Sequence, residues 1–274
     1  TTQMVLLAWA DVANIVFQSD SEPDHAAILF GNYATGAPGS GGFAFLPGSR
    51  EANSTAGDVW INASLAYNET PTSTNYGWFT LLHEVGHALG LSHPSDYDAA
   101  SGSQLFYGTD ASYTEDSNLY TVMSYFSATA AGGAFGSTYP MAPMIDDIAA
   151  IQRLYGVNTT TRAGDTTYGF NSNAERPWYS AATTSVPVFT VWDGGGTDTL
   201  DFSLYGSATI DMRQGSLSDV GGGRSNIGIA RGTVVENLIT GAGNDTITGN
   251  SADNRITPGG GANFVDGGDR KSVV

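Results

Sequence analysis

One eleven-residue segment carries residue types and a spacing that suit a metal site. Residues 83–93 read His-Glu-Val-Gly-His-Ala-Leu-Gly-Leu-Ser-His. On a helix, His83 and His87 lie four positions apart and share one face, so their imidazoles can meet a single ion. Gly90 allows the chain to leave the helix sharply, which lets His93 return as a third ligand. Three neutral nitrogen ligands leave a fourth position open, the arrangement of a catalytic rather than a structural zinc.

Glu84 lies beside His83 on the same turn, so its carboxylate can reach a water molecule on the ion and act as general base. The alternative is that these are ordinary helix-surface or core histidines. The composition argues against it, because the chain has four histidines and three are in the motif. The fourth, His25, follows Asp24 and precedes an apolar run, and we expect a structural or surface role for it.

The motif resembles that of the metzincin clan of zinc proteases, and the likeness extends downstream. Residues 121–125, Thr-Val-Met-Ser-Tyr, resemble the clan's Met-turn, in which Met123 would underlie the zinc site. Pro94, directly after the third histidine, is typical of the serralysins, which are RTX-type secreted bacterial zinc metalloproteases. By this resemblance Tyr125 ligates zinc or swings to hydrogen-bond the oxyanion of the reaction.

Further blocks of the first half resemble the same family. They are residues 11–15, 30–33, 44–47 and 146–152. The resemblance implies that the strand at 43–46 borders the cleft and pairs with extended substrate through main-chain hydrogen bonds, which gives broad specificity. The family usually begins further upstream and continues well beyond residue 274, so we expect a chain that is truncated at both ends.

Residues 240–266 contain three nine-residue units similar to the calcium-binding repeat Gly-Gly-x-Gly-x-Asp-x-apolar-x. Residues 240–248 match it at all but the first position. Residues 249–257 match loosely, because Asn254 replaces the aspartate, and residues 258–266 match least. The glycines permit tight turns that free carbonyl groups for calcium, while the apolar residue of each unit fills the core. The alternative is a glycine-rich turn region without calcium. The predicted calcium ligands are Gly241, Gly243, Asp245, Asn250, Ala252, Asn254, Gly259, Gly261 and Asn263.

Two earlier segments, residues 162–166 and 193–198, resemble serralysin calcium loops that pair around one ion. Read without the resemblance, the second is a turn with two oxygen ligands five residues apart. Residues 232–237 resemble a further stretch of the family that ends in Glu-Asn. The ligands that the resemblance implies are Arg162, Gly164, Thr166, Asp193, Gly195, Gly196, Asp198 and Glu236.

The composition excludes several classes of protein and site. The formal net charge is −17, which argues against nucleic acid or an anionic membrane as a partner. No apolar run reaches the length that a membrane span needs. The chain has no cysteine, so disulfides, thiolate metal sites and cysteine nucleophiles are excluded together. Bound calcium would then take the stabilising role that disulfides have in other secreted proteins.

The pattern of apolar residues changes near residue 158, which predicts two domains. Residues 1–157 carry mixed signals and predict an α+β, metzincin-like catalytic domain. Residues 158–274 lack helical periodicity and are dominated by Gly, Asn, Asp and Thr, which predicts an all-β, calcium-binding parallel β-roll that is incomplete. The predicted helices lie at about 4–9, 78–89 and 146–155, and the predicted strands at 15–17, 26–30, 43–46 and 59–61.

Together these features predict a secreted zinc endopeptidase with broad specificity for extracellular proteins. We expect one catalytic zinc, several structural calcium ions, protein or peptide substrates and a monomer, and the resemblance allows a proteinaceous inhibitor. One alternative is a non-enzymatic calcium-binding RTX module with a dead metal site, against which the intact Glu84 counts. A second is a related metzincin branch such as the astacins, against which Pro94 and the repeats count.

Overall fold

The computed structural model describes residues 1–19, 26–34, 41–48, 55–97, 104–268 and 272–273. The first half combines helices with one small sheet, and the second half is built from short strands. Within the described ranges no helix is long and apolar enough to cross a membrane.

The described helices place the metal motif between two packed neighbours. The α-helices are α1 Thr2–Ala10, α2 Ala66–Glu69, α3 Tyr76–Ala88, α4 Tyr107–Asp110 and α5 Ile145–Tyr155, with short 3-10 helices at Ala128–Ala131 and Pro177–Tyr179. The predicted helices at 4–9, 78–89 and 146–155 correspond to α1, α3 and α5. Helix α3 begins where the side chain of Asn75 accepts the N–H of Trp78 at 3.0 Å. It ends before Gly90, whose φ of +100° turns the chain away from the helix axis.

In the first half, the described residues form a sheet of three strands in the order β1-β3-β2. They are β1 Phe30–Tyr33, β2 Gly42–Ala44 and β3 Val59–Asn62, with β1 parallel and β2 antiparallel to β3. The predicted strand at 59–61 is therefore confirmed, and the one at 43–46 is confirmed in a shorter form. The strand predicted at 26–30 is wrong for all but Phe30. The strand predicted at 15–17 is also wrong, since these residues pair with no strand in the described part of the chain and Val16 is 80% exposed.

Ten short strands make up the regular sheet structure in the described part of the second half. They are β4 Thr167–Gly169, β5 Phe189–Val191, β6 Thr199–Asp201, β7 Thr209–Asp211, β8 Leu217–Ser218, β9 Ile227–Ile229, β10 Asn237–Ile239, β11 Thr246–Thr248, β12 Arg255–Thr257 and β13 Phe264–Asp266. One sheet has the order β12-β10-β6-β4 and another the order β13-β11-β7, and both are parallel. A third has the order β5-β9-β8.

The nine-residue units supply strands to the two parallel sheets in turn. Leu238 of β10 is paired with Ile256 of β12, whereas Ile247 of β11 is paired with Val265 of β13. Leu238, just before the units, and the central residues Ile247 and Ile256 of the first two units are buried, whereas Val265 of the third is partly buried against the same core. Each unit therefore contributes one strand and one apolar side chain that packs on the core, and successive turns lie at opposite edges of the stack.

Hydrophobic residues from both halves form one connected core, and α3 lies within it. On one side the indole N–H of Trp9 in α1 donates to the carbonyl of Leu82 at 3.3 Å. On the other side Trp78 packs against Trp178 of the second half, with ring centroids 6.0 Å apart. The helix with the metal motif is thus held from two sides in a close-packed interior. The domain boundary at 157/158 stays a prediction.

Candidate metal centre

Three imidazoles converge at the end of helix α3. The Nε2 atom of His93 lies 3.1 Å from Nε2 of His83 and 3.0 Å from Nε2 of His87. Both α3 histidines project from one face of the helix, and His93 returns after the turn at Gly90, as the spacing predicts. These three residues form a group of the size that holds one metal ion.

The outer nitrogen of each imidazole contacts a main-chain carbonyl. His83 Nδ1 lies 2.7 Å from the oxygen of Val122, His87 Nδ1 2.7 Å from that of Leu91, and His93 Nδ1 3.1 Å from that of Tyr97. A carbonyl oxygen can only accept, so each Nδ1 carries the proton and each Nε2 presents a lone pair.

Three lone pairs directed at one point repel each other unless a cation lies between them. Burial lowers the pKa of His83 and of His87, and the neighbouring imidazole lowers that of His83 further, so that both remain neutral. Neutral imidazoles with fixed tautomers are the form in which histidine binds zinc. The donor set therefore fits a zinc ion, with edges close to the ~3.3 Å that zinc–nitrogen distances of about 2.0–2.1 Å imply for a tetrahedron.

Glu84 lies on the same turn as His83 and is almost fully buried. Burial raises the pKa of its carboxyl to about 8. A cation among the three histidines would lower this pKa, because an opposite charge favours the ionised form. Gly42 of strand β2 adjoins the side chain: a Cβ at this position would lie 3.0 Å from Cγ of Glu84.

The Met-turn residues predicted by resemblance lie below and beside the histidines. Met123 is buried, and its sulfur is 2.5 Å from the position that a Cβ on Gly86 would take. Tyr125 is 37% exposed, and its ring centroid lies 5.8 Å from that of His83 and 4.4 Å from that of His93. Tyr125 is thus at the edge of the site, whereas Met123 is part of its support.

A cleft of about 290 Å³ opens in front of Glu84 and His83. The loop and first residue of the edge strand, Gly41 and Gly42, form one wall. The remaining lining residues are Tyr76, Phe79, Thr80, Asn118, Ser124, Tyr125, Ser127 and Tyr139. The floor thus carries one carboxylate in a surface that is otherwise aromatic, hydroxyl-bearing or amide-bearing.

Sequence reasoning did not identify the side chains that hold the ligand-orienting carbonyls. Asp147, at the start of α5, accepts the N–H of Val122 at 2.8 Å, and Val122 supplies the carbonyl for His83. Tyr97 supplies the carbonyl for His93, and its hydroxyl donates to the buried Asp116 at 2.8 Å. The order of residues along the chain gives no signal for these contacts. His25 lies outside the described residues.

The two segments that resemble calcium loops lie together in the structure. The N–H of Thr166 donates to Asp198 Oδ1 at 2.9 Å, and the N–H of Asp198 donates to Glu236 at 2.8 Å. The second oxygen of Asp198, Oδ2, is buried and has no hydrogen-bond partner among the described residues. Burial, with the charges of Asp193 and Glu236, raises the pKa of Asp198 to about 7. An unpartnered carboxylate oxygen between two other carboxylates fits a calcium ion, which takes oxygen ligands.

The remaining ligands implied for this site would act through their main-chain carbonyl groups. Gly164 lies against Gly196, since a Cβ on Gly196 would be 2.6 Å from the Gly164 carbonyl, and Gly195 adopts a φ of +133°. The side chain of Arg162 pairs with Asp11 of the first half at 2.9 Å and donates to the carbonyl of Trp192, just before the second loop, at 2.8 Å. A cationic side chain cannot ligate calcium, so only the carbonyl of Arg162, 3.5 Å from the hydroxyl of Thr166, can act as the implied ligand.

The three repeat units place their predicted ligands at two edges. The loop with Gly241, Gly243 and Asp245 lies directly beside the loop with Gly259, Gly261 and Asn263, in close backbone contact. The loop with Asn250, Ala252 and Asn254 lies at the opposite edge, against Gly267 and Gly268. These three units therefore do not form a single row of ligands.

Hydrogen bonds inside the chain occupy the acidic and amide groups of these repeats. Asp245 accepts from the N–H of Ala208 at 2.9 Å and from the hydroxyl of Thr240 at 2.6 Å. Asn254 accepts the N–H of Asn250 at 2.8 Å. The repeat loops thus carry a weaker indication of calcium than the carboxylates around Asp198.

Comparison with known families gives two matches that together span most of the chain. Residues 11–136 match the family model described as metallo-peptidase family M12. Residues 157–265 match the model described as peptidase M10 serralysin C terminal.

Individual relatives match across both halves. Metallopeptidase AprA of Pseudomonas marginalis is 46% identical over 259 residues, which cover 92% of this chain and 54% of that protein. Serralysin G of Dickeya chrysanthemi is 45% identical over 262 residues, covering 93% and 54%. A serralysin of Photorhabdus luminescens is 45% identical over 258 residues, covering 93% and 52%. The chain spans about half the length of these relatives.

Proposed function

The chain belongs to the serralysin-type metalloproteases, and on that premise we propose that it is a zinc-dependent endopeptidase of broad specificity. One observation carries the proposal. Three histidine Nε2 atoms, each with its Nδ1 tied to a carbonyl, meet beside a buried glutamate at the floor of an open cleft. This combination provides a site for a metal ion, a base beside it and room for a peptide.

His83, His87 and His93 would hold the zinc ion, and Tyr125 would be a fourth ligand or an oxyanion donor. A bound zinc ion supplies Lewis acidity, which lowers the pKa of a water molecule and polarises the scissile carbonyl. The carbonyl contacts of the three imidazoles hold the ligands in place, so little reorganisation is needed when the metal binds.

Glu84 would act as the general base and then as the general acid. Its carboxylate takes a proton from the attacking water and delivers that proton to the leaving amine. The side chain is held against Gly42 on one side and the α3 turn on the other, which fixes its direction. Tyr125, at the exposed rim, would donate a hydrogen bond to the developing oxyanion.

Strand β2 would bind the substrate main chain. It is an edge strand of its sheet, with β3 on one side, and its first residue lines the cleft beside Glu84. An extended peptide could add to this edge through main-chain hydrogen bonds, which are independent of side-chain identity. We therefore propose unfolded or loop segments of proteins as substrates.

Calcium would stabilise the second half, which we propose to be a β-roll. The support is the pair of parallel sheets fed alternately by nine-residue units, together with the unpartnered oxygen of Asp198. Extracellular modules bind calcium at about 10⁻⁴–10⁻³ M, so a calcium requirement favours secretion. The monomeric state and a proteinaceous inhibitor stay predictions.

A Glu84→Gln variant tests the mechanism. It keeps the shape of the side chain but cannot accept the proton, so it should bind one zinc per chain and lose casein hydrolysis by about 10²-fold or more. Glu69→Gln, an exposed glutamate of α2, is the matched control and should remain active. Undiminished hydrolysis by Glu84→Gln would refute the role of Glu84. A wild-type chain that binds zinc but hydrolyses nothing would instead favour a calcium-binding module.

A further inference from the structure

A fully buried carboxylate outside the metal motif lies at the junction of the two loops beside the metal centre. Asp116 has no exposed surface. It accepts three hydroxyl groups: Ser95 at 2.8 Å, Tyr97 at 2.8 Å and Ser124 at 2.7 Å. A buried carboxylate is costly unless its oxygens are hydrogen-bonded, so these three donors are what keep Asp116 in place.

The three donors come from both loops. Ser95 and Tyr97 follow His93 by two and four residues, and Ser124 directly precedes Tyr125. The donors are 21, 19 and 8 residues from Asp116 along the chain. Asp116 therefore joins the segment that carries the third histidine to the segment that carries the exposed tyrosine.

Tyr97 makes this connection through three different groups. Its carbonyl is the partner of His93 Nδ1 at 3.1 Å, and its ring lies over that imidazole at 5.4 Å and an interplanar angle of 27°. Its ring also lies 4.9 Å from the ring of Tyr125, and its hydroxyl accepts the N–H of Tyr125 at 3.4 Å. A shift of the Tyr97 hydroxyl would therefore move both His93 and Tyr125.

We propose that Asp116 is a positioning residue for the metal centre. It fixes Tyr97 and Ser124, and through them the imidazole of His93 and the ring of Tyr125, in the arrangement that receives the zinc ion. This inference rests on the proposed function and adds a residue that never touches metal or substrate. The main chain of His83 and His87 is held by helix α3, whereas His93 lies on a loop, and its main chain has no such helical support.

The test compares zinc affinity with stability in three variants of the full chain. Asp116→Ala removes the acceptor, and Tyr97→Phe removes one donor while it keeps the ring and the carbonyl. Asp201→Ala is the matched control: this buried carboxylate of β6 accepts from Ser203 and Asn171 in the second half. The zinc affinity of the metal-free chain is measured by competition with a chromophoric chelator in saturating calcium. The melting temperature and the visible spectrum of the cobalt(II) form are recorded for each variant as well.

We expect Asp116→Ala to weaken zinc binding by about 10–100-fold and Tyr97→Phe by up to about 10-fold. Both should change the cobalt(II) spectrum, because the positions of His93 and Tyr125 change. Asp201→Ala should lower the melting temperature and leave zinc affinity and spectrum as in the wild type.

Wild-type zinc affinity and spectrum in both Asp116→Ala and Tyr97→Phe would overturn the positioning role and leave the proposed function intact. If Asp116→Ala does not fold, Tyr97→Phe decides alone. Failure of the wild-type chain to bind zinc would refute the proposed function itself, and with it this inference.

Discussion

Asp147 and His83 are linked through a single residue. Asp147 accepts the main-chain N–H of Val122 at 2.8 Å, and the carbonyl of Val122 lies 2.7 Å from Nδ1 of His83. The same carboxylate accepts the hydroxyl of Thr121 at 2.6 Å and the N–H of Met144 at 2.8 Å. The first turn of α5 therefore fixes the turn under the metal site and, through it, the first histidine.

The buried carboxyl of Asp147 predicts a pH dependence of stability. Burial raises its pKa to about 7, against the bonds from Thr121, Val122 and Met144, which lower it. The folded chain then holds a proton that the unfolded chain releases near pH 4, so the stability contribution falls by ~4 kcal/mol as pH rises from about 4 to about 7. Asp147→Asn should lack this slope. Denaturant unfolding at pH 5 and pH 8 gives the unfolding free energy of the wild type and of Asp147→Asn. An equal change between the two pH values in both proteins would contradict the prediction.

The contact between Gly86 and Met123 predicts that the stability effect of a methyl group on Gly86 depends on Met123. A methyl group on Gly86 would lie 2.5 Å from the sulfur of Met123, and overpacking costs about 1–3 kcal/mol. Gly86→Ala should therefore destabilise the wild type by about 1 kcal/mol, after a helix-propensity gain of similar size. In a Met123→Ala background the contact with the sulfur is absent and only the 3.1 Å approach to Cζ2 of Trp9 remains, so Gly86→Ala should be about 1–2 kcal/mol less destabilising than in the wild type. A double-mutant cycle in denaturant measures this coupling, and additivity would refute it. Gly108→Ala, with open space around it, should be additive with Met123→Ala.

The ion pairs of Asp11 connect the two halves of the chain. Asp11 accepts from Arg162 at 2.9 Å and from Arg176 at 2.8 Å, and the Asp11 and Arg162 side chains are each 8% exposed. Asp11→Ala leaves two cations without their partner, so we expect a loss of about 3–5 kcal/mol in unfolding free energy. The exposed pair of Asp146 with Arg231 is the control, and Asp146→Ala should cost about 1 kcal/mol or less. Equal losses in the two variants would contradict the prediction.

The substitution Asp198→Asn should have opposite effects on the melting temperature in the absence and in the presence of calcium. Without the ion, its carboxylate is buried beside Asp193 and Glu236, and its pKa is raised to about 7. When calcium is removed by a chelator at pH 8, Asp198→Asn should therefore melt at the same temperature as the wild type or a few degrees higher. In saturating calcium it should melt lower, because a ligand is lost. Scanning calorimetry under both conditions measures the two melting temperatures. A wild-type melting temperature that is the same with and without calcium would refute the calcium site.

The sequence predicted those parts of the site whose geometry is local. His83 and His87 are brought together by the helical repeat alone, and one glycine turn returns His93. The nine-residue units likewise predicted buried strand centres such as Ile247 and Ile256, because each unit repeats the same contacts.

The supporting residues could not be predicted because their contacts join distant segments. Asp147 and Val122 are 25 residues apart, and Tyr97 and Asp116 are 19 apart. Each contact involves a main-chain group or a hydroxyl that any loop possesses. The strand prediction at 15–17 was wrong for a related reason. A β-branched composition favours a strand, but a strand also needs a neighbour, and among the residues that the structure describes none pairs with this segment.

A zinc titration of the metal-free chain, with casein hydrolysis recorded at each addition in saturating calcium, tests the central claim most directly. We expect no hydrolysis at the start, a linear rise up to one zinc per chain, and a plateau beyond it. Hydrolysis that persists without zinc, or zinc binding at one equivalent with no hydrolysis at any addition, would contradict the assignment of His83, Glu84, His87 and His93 as a catalytic zinc site.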